Sequence, residues 1–441
     1  MPNPVTINAA PLAPPHAANQ GIDQQKVDTA LRTITADSMR DQSQLANALD
    51  NPNLNQAERD YILQELVRGD ESGLTAFYGN DINRSERSDP TLGTDHQIIG
   101  EALDQAYQDG IINADDLLRI ADSNDLNGAQ HLLGMLQTGS SGANSAVEAF
   151  SDALWQRDGN DGTDRAVAAI GYTSSPELQS RNLNSPEVRR EAFEALVAYN
   201  DAAPYNDVLE GSLTTQWENN ALTAAGTLFV NNTSELVDFY AGGAGADVNI
   251  QTEVLARFMG QTVFNPDAAS IVLDRQRDLI PAIQSAISSH ADGLLADAAD
   301  ATAGSRQQEN LIEQFGRLDA SISGGAAVAL DRYSEAILAN EASRQQFASI
   351  VGALVGKTPA SKVPGSTQVT TAITNAIYDA ITTPPERPDQ SLANAIHDAH
   401  FNQVRTLANE LDQTGLTTAF NSAQAVEITQ LQGILGVNLG G

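Results

Sequence analysis

Residues 185–200, SPEVRREAFEALVAYN, carry the pattern that decides the fold class of this chain. Ser185 followed by Pro186 is typical of a helix start, with serine as the N-cap and proline at the first helical position. The apolar residues that follow recur at helical spacing: Val188, Phe193, Leu196 and Val197. The segment therefore predicts an amphipathic helix with one face turned to a core.

Similar helix starts recur along the chain. Asn55 precedes Glu58 by three residues, which is a capping-box pattern. Asn113 stands before ADDLLRIADS and so places two acidic residues in a first helical turn. A second Ser-Pro-Glu start lies at 175–177, and the clearest β-like segment, TLFVN at 227–231, fits a helix equally well. We expect an all-α fold, either a multi-helix bundle or an elongated helical array, with a flexible N-terminal leader.

The first 20 residues have a composition that does not form a packed element. They hold five of the 17 prolines, so we expect residues 1–25 to be a disordered leader that serves as an export signal. At 46.6 kDa the chain exceeds what one hydrophobic core usually organises. We expect an N-terminal helical domain over 26–240 and a C-terminal helical domain over 250–441.

The charge balance restricts the classes of partner. The chain holds 57 acidic and 24 basic residues, a net charge of −33, whereas nucleic-acid binding depends on Lys and Arg that neutralise phosphates. We therefore expect no nucleic-acid partner, and an anionic membrane surface is disfavoured for the same reason. Because cysteine is absent, a disulfide framework, a thiolate nucleophile and a Cys-ligated zinc are excluded.

The beginning of the sequence also bears on where the protein works. No cationic residue precedes Lys26, and no apolar segment of signal-peptide length is found there. Nowhere does the chain reach the roughly 18 to 20 apolar residues of a transmembrane helix. Absence of cysteine is common in proteins that are exported unfolded. We expect secretion without a Sec signal peptide, and delivery into a host cell is a further hypothesis.

Three segments resemble metal sites without completing a ligand set. His397 and His400 lie three residues apart on one helix face, but zinc needs a third and usually a fourth protein ligand. Residues 242–250 match only the front of a calcium-binding nonapeptide repeat, which requires tandem copies, and residues 158–164 are one residue short of an EF-hand loop. No nucleophile elbow, P-loop or Rossmann motif is present. We expect no metal, no cofactor and no catalytic residue.

Two apolar segments, FASIVGALV at 347–355 and VTTAITNAIYDAIT at 369–382, predict a helical hairpin over 347–382. Neither arm is long enough for a hydrocarbon core of about 30 Å, so core packing or a helix–helix interface is favoured over membrane insertion. The final apolar run consists of Leu431, Ile434, Leu435, Val437 and Leu439. It either binds a partner or packs into its own domain. The predicted interaction residues are Ile350, Val351, Leu354, Ile373, Ile377, Leu431, Ile434 and Leu435.

Two further segments carry a resemblance to a group of known proteins. Residues 49–77, LDNPNLNQAERDYILQELVRGDESGLTAF, and residues 94–118, TDHQIIGEALDQAYQDGIINADDLL, together with the hairpin, resemble non-catalytic helical regions of secreted bacterial effectors and polymorphic toxins of high-GC proteobacteria. The resemblance covers about half of the chain and includes no catalytic motif. It implies a role in delivery or in targeting a host cell.

These observations favour a secreted bacterial effector or toxin-associated protein that acts by protein–protein binding rather than by catalysis. Its partner would be a secretion chaperone or a host protein, and oligomerisation through the C-terminal helices stays open. One alternative is a membrane-disrupting or pore-forming toxin that uses the 347–382 hairpin. A second alternative is an enzyme that lacks a recognisable local motif.

Overall fold

The computed structural model describes an all-helical chain. The described residues contain twenty helices and no β-strand, which confirms the all-α fold. Residues 1–20 of the predicted leader lie outside the described part, and a helix already begins at Gln24. The described residues are 21–35, 42–68, 92–122, 128–139, 144–157, 162–202, 213–242, 248–266, 278–355, 366–382, 388–437 and 439.

The chain folds as two compact units, residues 1–149 and 150–441. The first unit contains six whole helices within the described residues and the beginning of a seventh, which crosses the division. They are α1 (Gln24–Thr35), α2 (Gln42–Leu49), α3 (Gln56–Arg68), α4 (Leu92–Gln108), α5 (Ala114–Asp122), α6 (Gly128–Gly139) and α7 (Ala146–Gln156).

The second unit contains the remaining helices of the described residues. They are α8 (Thr163–Thr173), α9 (Pro176–Asn182), α10 (Pro186–Ala202), α11 (Leu213–Asn231), α12 (Thr233–Gly242), α13 (Val248–Gln261), α14 (Leu279–Asp300), α15 (Arg306–Arg332), α16 (Ser334–Leu338), α17 (Glu341–Val355), α18 (Ser366–Thr382), α19 (Pro388–Glu410) and α20 (Gly415–Leu435). Both tryptophans of the chain, Trp155 and Trp217, belong to this unit.

The division between the two units does not lie at the predicted boundary of 240–250. Helices α12 and α13 flank that segment, and both pack against α15. Because helices on either side of 240–250 share one packing partner, they belong to the same hydrophobic core. The chain divides instead between Ala149 and Phe150.

The predicted helix starts are present as hydrogen-bonded caps. The Asn55 backbone N–H donates to Glu58 Oε2 over 2.8 Å, and the Glu58 N–H donates to Asn55 Oδ1 over 3.0 Å. Asn113 and Asp116 form the same reciprocal pair, with both distances 3.0 Å. Each pair satisfies two backbone N–H groups that a helix N-terminus otherwise leaves unpaired.

The two Ser-Pro starts also form caps, and a third proline lies close to a helix start. Ser175 Oγ accepts from Leu178 N over 3.2 Å, and Ser185 Oγ accepts from Val188 N over 3.3 Å. Pro281 lies in the first turn of α14. A first-turn residue has no intrahelical partner for its N–H, so proline is tolerated there.

Helix α15 forms the centre of the C-terminal part of the second unit. Helices α13, α14, α19 and α20 all pack against it, and every residue from 318 to 327 is buried. Its glycines allow a neighbouring backbone to approach closely. A Cβ added to Gly325 would lie 2.8 Å from the Ala256 carbonyl oxygen of α13, so only glycine fits there.

Candidate binding surface on the last helix

Helix α20 is fixed to the second unit by one apolar face. Its buried residues include Phe420, Ile428 and Leu431, and the chain beyond the helix adds two more buried side chains, Val437 and Leu439, to the same cluster. Three members of the terminal apolar run, Leu431, Val437 and Leu439, therefore pack into their own domain, which was one of the two alternatives for the run, whereas Ile434 is exposed.

One buried carboxyl joins α20 to α13. The Thr252 hydroxyl donates a hydrogen bond of 2.5 Å to Oε2 of Glu427, whose side chain is buried. Burial raises the pKa of Glu427 above its ordinary value, while the hydrogen bond from Thr252 acts in the opposite direction. This contact orients α20, since the face opposite Glu427 must then turn away from α13.

The opposite side of α20 is exposed and carries no charge. Glu427 is the helix's single ionisable residue, and it points into the core. From 418 to 434 the exposed positions, which we call the outer face of α20, are Thr418, Asn421, Ser422, Ala425, Val426, Thr429, Gly433 and Ile434. Except for Ile434, they recur every three or four residues and form one stripe along the helix, whereas Ile434, seven residues after Glu427, lies within about 20° of the direction of Glu427.

Two residues of the outer face are large and apolar. Val426 is 54% exposed and Ile434 is 41% exposed, and no other large hydrophobic residue among those the structure describes is exposed to this degree. Interface cores are depleted of charged residues, whereas the rest of a soluble protein's surface is rich in them. In a chain with a net charge of −33, this uncharged face is therefore a candidate surface, among the described residues, for contact with another protein.

The predicted interaction residues occupy different environments. Ile434 is exposed, and Ile350 and Leu435 are half-buried. The side chain of Ile373 lies outside the described residues. Four of the eight are buried and contribute to the core of the folded second unit: Val351, Leu354, Ile377 and Leu431. Their use in binding stays a prediction, and the exposed member is the one on the outer face of α20.

The arms of the predicted hairpin are present as α17 and α18, which pack against each other. A Cβ added to Gly352 would collide with Thr374, so glycine permits the close approach of the two helices at this point. The connection, residues 356–365, lies outside the described residues. No helix in the described part of the chain is both long and apolar enough to cross a membrane, and membrane disruption stays a prediction.

The histidine pair of α19 takes part in core contacts. His400 Nδ1 is hydrogen-bonded to Asp319 Oδ1 of α15, and both side chains are buried. His397 stacks on Phe420 with a ring-centroid distance of 5.6 Å and an interplanar angle of 15°. Among the described residues, no three His, Asp or Glu side chains are grouped so that they could hold a metal ion.

The other two candidate metal segments are described only in part. Residues 243–247 and 158–161 lie outside the described residues, so neither loop is seen whole. Gly242 ends α12, and Asp164 lies in the first turn of α8, where its carboxylate is 3.4 Å from Arg157 Nη1.

Val426 was missed from the sequence, although a signal for it existed. The segment 415–435 contains a single charged residue, which is unusual for a long helix in so acidic a chain. If Glu427 is buried, the residues on the opposite side are exposed and uncharged; at 100° per residue Thr429 lies about 160° from Glu427, and Val426 lies about 100° from it, at the edge of that side. The large apolar residues of this helix do not by themselves indicate which side faces solvent.

No known protein-family model, curated protein or solved structure matches the chain. The role of the outer face of α20 is therefore argued from its own exposure and charge. Its chemistry, apolar side chains and neutral hydroxyl groups on a rigid helix, suits contact with another polypeptide.

Proposed function

We propose that the chain is a non-catalytic binding protein, a secreted bacterial effector or toxin-associated protein, whose protein partner binds the outer face of α20. The observation that supports this proposal is the exposure of Val426 and Ile434 on a helix with no exposed charge.

The charge of the chain supports a protein partner over a nucleic acid. With 57 acidic and 24 basic residues, the protein attracts basic surfaces and repels polyanions. The resemblance of residues 49–77 and 94–118 to helical regions of secreted effectors supports the class of protein. A secretion chaperone or a host protein is the partner proposed on this basis.

The first experiment identifies the partner by position. A photoreactive amino acid replaces Val426 in the full chain, and the matched control carries it at Ser289, an exposed position of α14. We expect irradiation in cells to capture a protein through position 426 and not through position 289. Equal capture from both positions contradicts the proposal.

The second experiment measures the contribution of the face. The captured protein is purified and titrated calorimetrically with the wild type, with V426E/I434E and with the control S285E/S289E, which adds the same charge on another helix. We expect V426E/I434E to lower the affinity more than about tenfold, because a buried, unpaired carboxylate opposes an apolar contact. If both double variants bind like the wild type, the partner does not use this face.

A further inference from the structure

We propose that α1 is a strap held on the first unit by one carboxylate, that of Glu58, and that neutralising this carboxylate releases α1 while the other helices of the unit stay folded. The strap belongs to the first unit and is independent of the proposed function, which uses α20 of the second unit. It is attached through a cap that two helices share, and it buries little apolar surface of its own.

Glu58 completes the N-terminal caps of two helices. In a capping box, the residue three positions after the N-cap accepts a hydrogen bond from the backbone N–H of the N-cap residue. Glu58 does this for Asn55 at the start of α3, through Oε2 over 2.8 Å. Its other oxygen, Oε1, accepts from the N–H of Asp23, the residue before α1, also over 2.8 Å. The corresponding position of α1 itself is Lys26, whose side chain has no acceptor, so α1 depends on Glu58 for this bond.

Two further hydrogen bonds join this segment to the residues before α3, and both are exposed. Asn55 Nδ2 donates to the Gly21 carbonyl oxygen over 2.7 Å, and Lys26 Nζ donates to the Asn53 carbonyl oxygen over 3.1 Å. Exposed polar groups can exchange such partners for water at little cost. Glu58 is buried, and hydrogen bonds to a charged acceptor are stronger than those between neutral groups. The Glu58 carboxylate is therefore the strongest of these three attachments.

Helix α1 buries few of its own side chains. Among residues 24–32, whose burial the structure describes, only Val27 and Ala30 are buried. A helix of 12 residues is marginal in water by itself, so α1 needs its attachments to stay helical. Loss of the bond to Glu58 should therefore unfold α1 locally and expose Val27 and Ala30.

Acid is the trigger that neutralises this carboxylate. The two N–H donors of the caps lower the pKa of Glu58 below its ordinary 4.5, burial opposes them, and the ammonium group of Lys26 lowers the pKa further. Among the described residues of the helices packed on α3, Lys26 of α1 is the charged side chain that acts on Glu58. Helix α2 contains no ionisable residue, and Asp109 of α4 acts on Asp60. The stabilisation from Glu58 is thus fully present above about pH 4.5 and is lost as pH falls through the lowered pKa.

Hydrogen exchange of the full chain, followed by mass spectrometry, tests the strap at pH 7. E58Q should lower the protection of the α1 amides more than about tenfold, because its side chain has one acceptor oxygen in place of two and no charge. Protection in α4 should change less than about twofold. D116N is the matched control, because Asp116 forms the same cap with Asn113 and its other oxygen accepts from Arg119 of the same helix. It should leave the protection of α1 unchanged.

A buried thiol gives a second readout. Because the chain has no cysteine, A30C in α1 and A106C in α4 each introduce one thiol at a buried position. E58Q should speed the labelling of A30C by a thiol reagent more than about tenfold, and that of A106C less than about twofold. Equal acceleration at both positions would mean that the whole unit opens. Unchanged labelling of A30C would mean that α1 does not depend on Glu58, and either result overturns the inference.

The pH dependence of the wild type completes the test. After correction for the intrinsic exchange rate, protection of α1 should be constant between about pH 7 and pH 5 and should fall below about pH 4.5, whereas E58Q should show no such fall. Loss of protection in α1 and α4 together would mean that acid unfolds the unit as a whole. Protection of wild-type α1 that persists at about pH 3 would mean that the carboxylate does not hold the strap. Both outcomes contradict the proposal.

Discussion

His400 and Asp319 are hydrogen-bonded to each other in the interior of the second unit, although 81 residues separate them in sequence. The contact joins α19 to α15, and the Phe315 ring lies edge-on to the imidazole at 5.0 Å. Neither Oδ2 of Asp319 nor Oγ of Ser323 has a hydrogen-bond partner among the described residues. The pair is therefore a buried polar link between α15 and α19.

We expect the D319A substitution to lower the free energy of unfolding by about 3–5 kcal/mol, because it leaves a buried imidazole without its acceptor. H400A should have a similar effect. The double variant D319A/H400A should lose less free energy of unfolding than the sum of the two single losses. The difference, the coupling energy, should be about 1–3 kcal/mol. Urea unfolding followed by tryptophan fluorescence measures this, since both tryptophans lie in the second unit.

Asp331 offers a matched control for the comparison of D319A, H400A and the double variant. It is an exposed acidic residue of the same helix, so D331A should change the free energy of unfolding by less than about 0.5 kcal/mol. Strictly additive effects of D319A and H400A would show that the two side chains do not stabilise the fold through their contact.

The His400–Asp319 contact also shows why part of the structure could not be predicted. The caps at Asn55, Asn113 and Ser175 were predictable, because each joins residues three positions apart and needs only local backbone geometry. A pair 81 residues apart depends on how α15 and α19 pack. No periodicity in a single sequence specifies that packing, so the sequence indicates for His400 only that it shares a helix face with His397.

The boundary between the two units and the exposed side of α20 likewise depend on how helices pack. The segment at 240–250 is glycine-rich and typical of a linker, yet the helices on either side of it pack on α15. Apolar residues in α17, α18 and α20 were correctly placed on helices, but their side chains are divided between core and surface. Only the packing of α20 shows that Leu431 faces inward while Ile434 faces solvent.

The E427Q variant tests the effect of the buried carboxyl on pH dependence. Burial raises the pKa of Glu427 above its ordinary 4.5, so the folded chain holds this proton more tightly than the unfolded chain. The stabilisation from Glu427 is then fully present below about pH 4.5 and is lost as pH rises through the raised pKa. E427Q should be more stable than the wild type at pH 8, and the difference should shrink towards pH 4.5.

Urea unfolding at several pH values gives this comparison. The amide side chain that E427Q introduces can still accept the hydrogen bond from Thr252 and cannot ionise. E410Q is the control, because Glu410 is exposed at the end of α19, and its stability should follow the wild type across the range. A stability difference between E427Q and the wild type that grows on acidification has the wrong sign for this explanation.

The G325A substitution tests the close packing of α15 and α13. The added methyl group would lie 2.8 Å from both the Ala256 carbonyl oxygen and the Met259 Cβ, so the helices must separate. We expect a loss of about 1–3 kcal/mol in the free energy of unfolding. G293A is the matched control, because no atom lies within 4 Å of its added methyl, and it should stabilise by about 0.5–1 kcal/mol. Calorimetric melting should show shifts of opposite sign.

Removal of residues 430–441 should prevent the second unit from folding. The deletion takes away Leu431, Val437 and Leu439, all buried in one cluster with Ile428. Loss of each large buried side chain costs about 2–5 kcal/mol, and together they approach the roughly 5–15 kcal/mol that stabilises a whole domain.

The point variant L439A removes one of these buried side chains alone. We expect it to lower the free energy of unfolding by about 2–5 kcal/mol. V426A on the outer face should lose less than about 0.5 kcal/mol, because Val426 is 54% exposed. Circular dichroism and limited proteolysis show whether the chain that lacks residues 430–441 still folds. A truncated chain that melts like the wild type would mean that the terminal apolar run is dispensable for the core. Leu431 and Leu439 would then have to be considered, with Ile434, as residues that bind a partner.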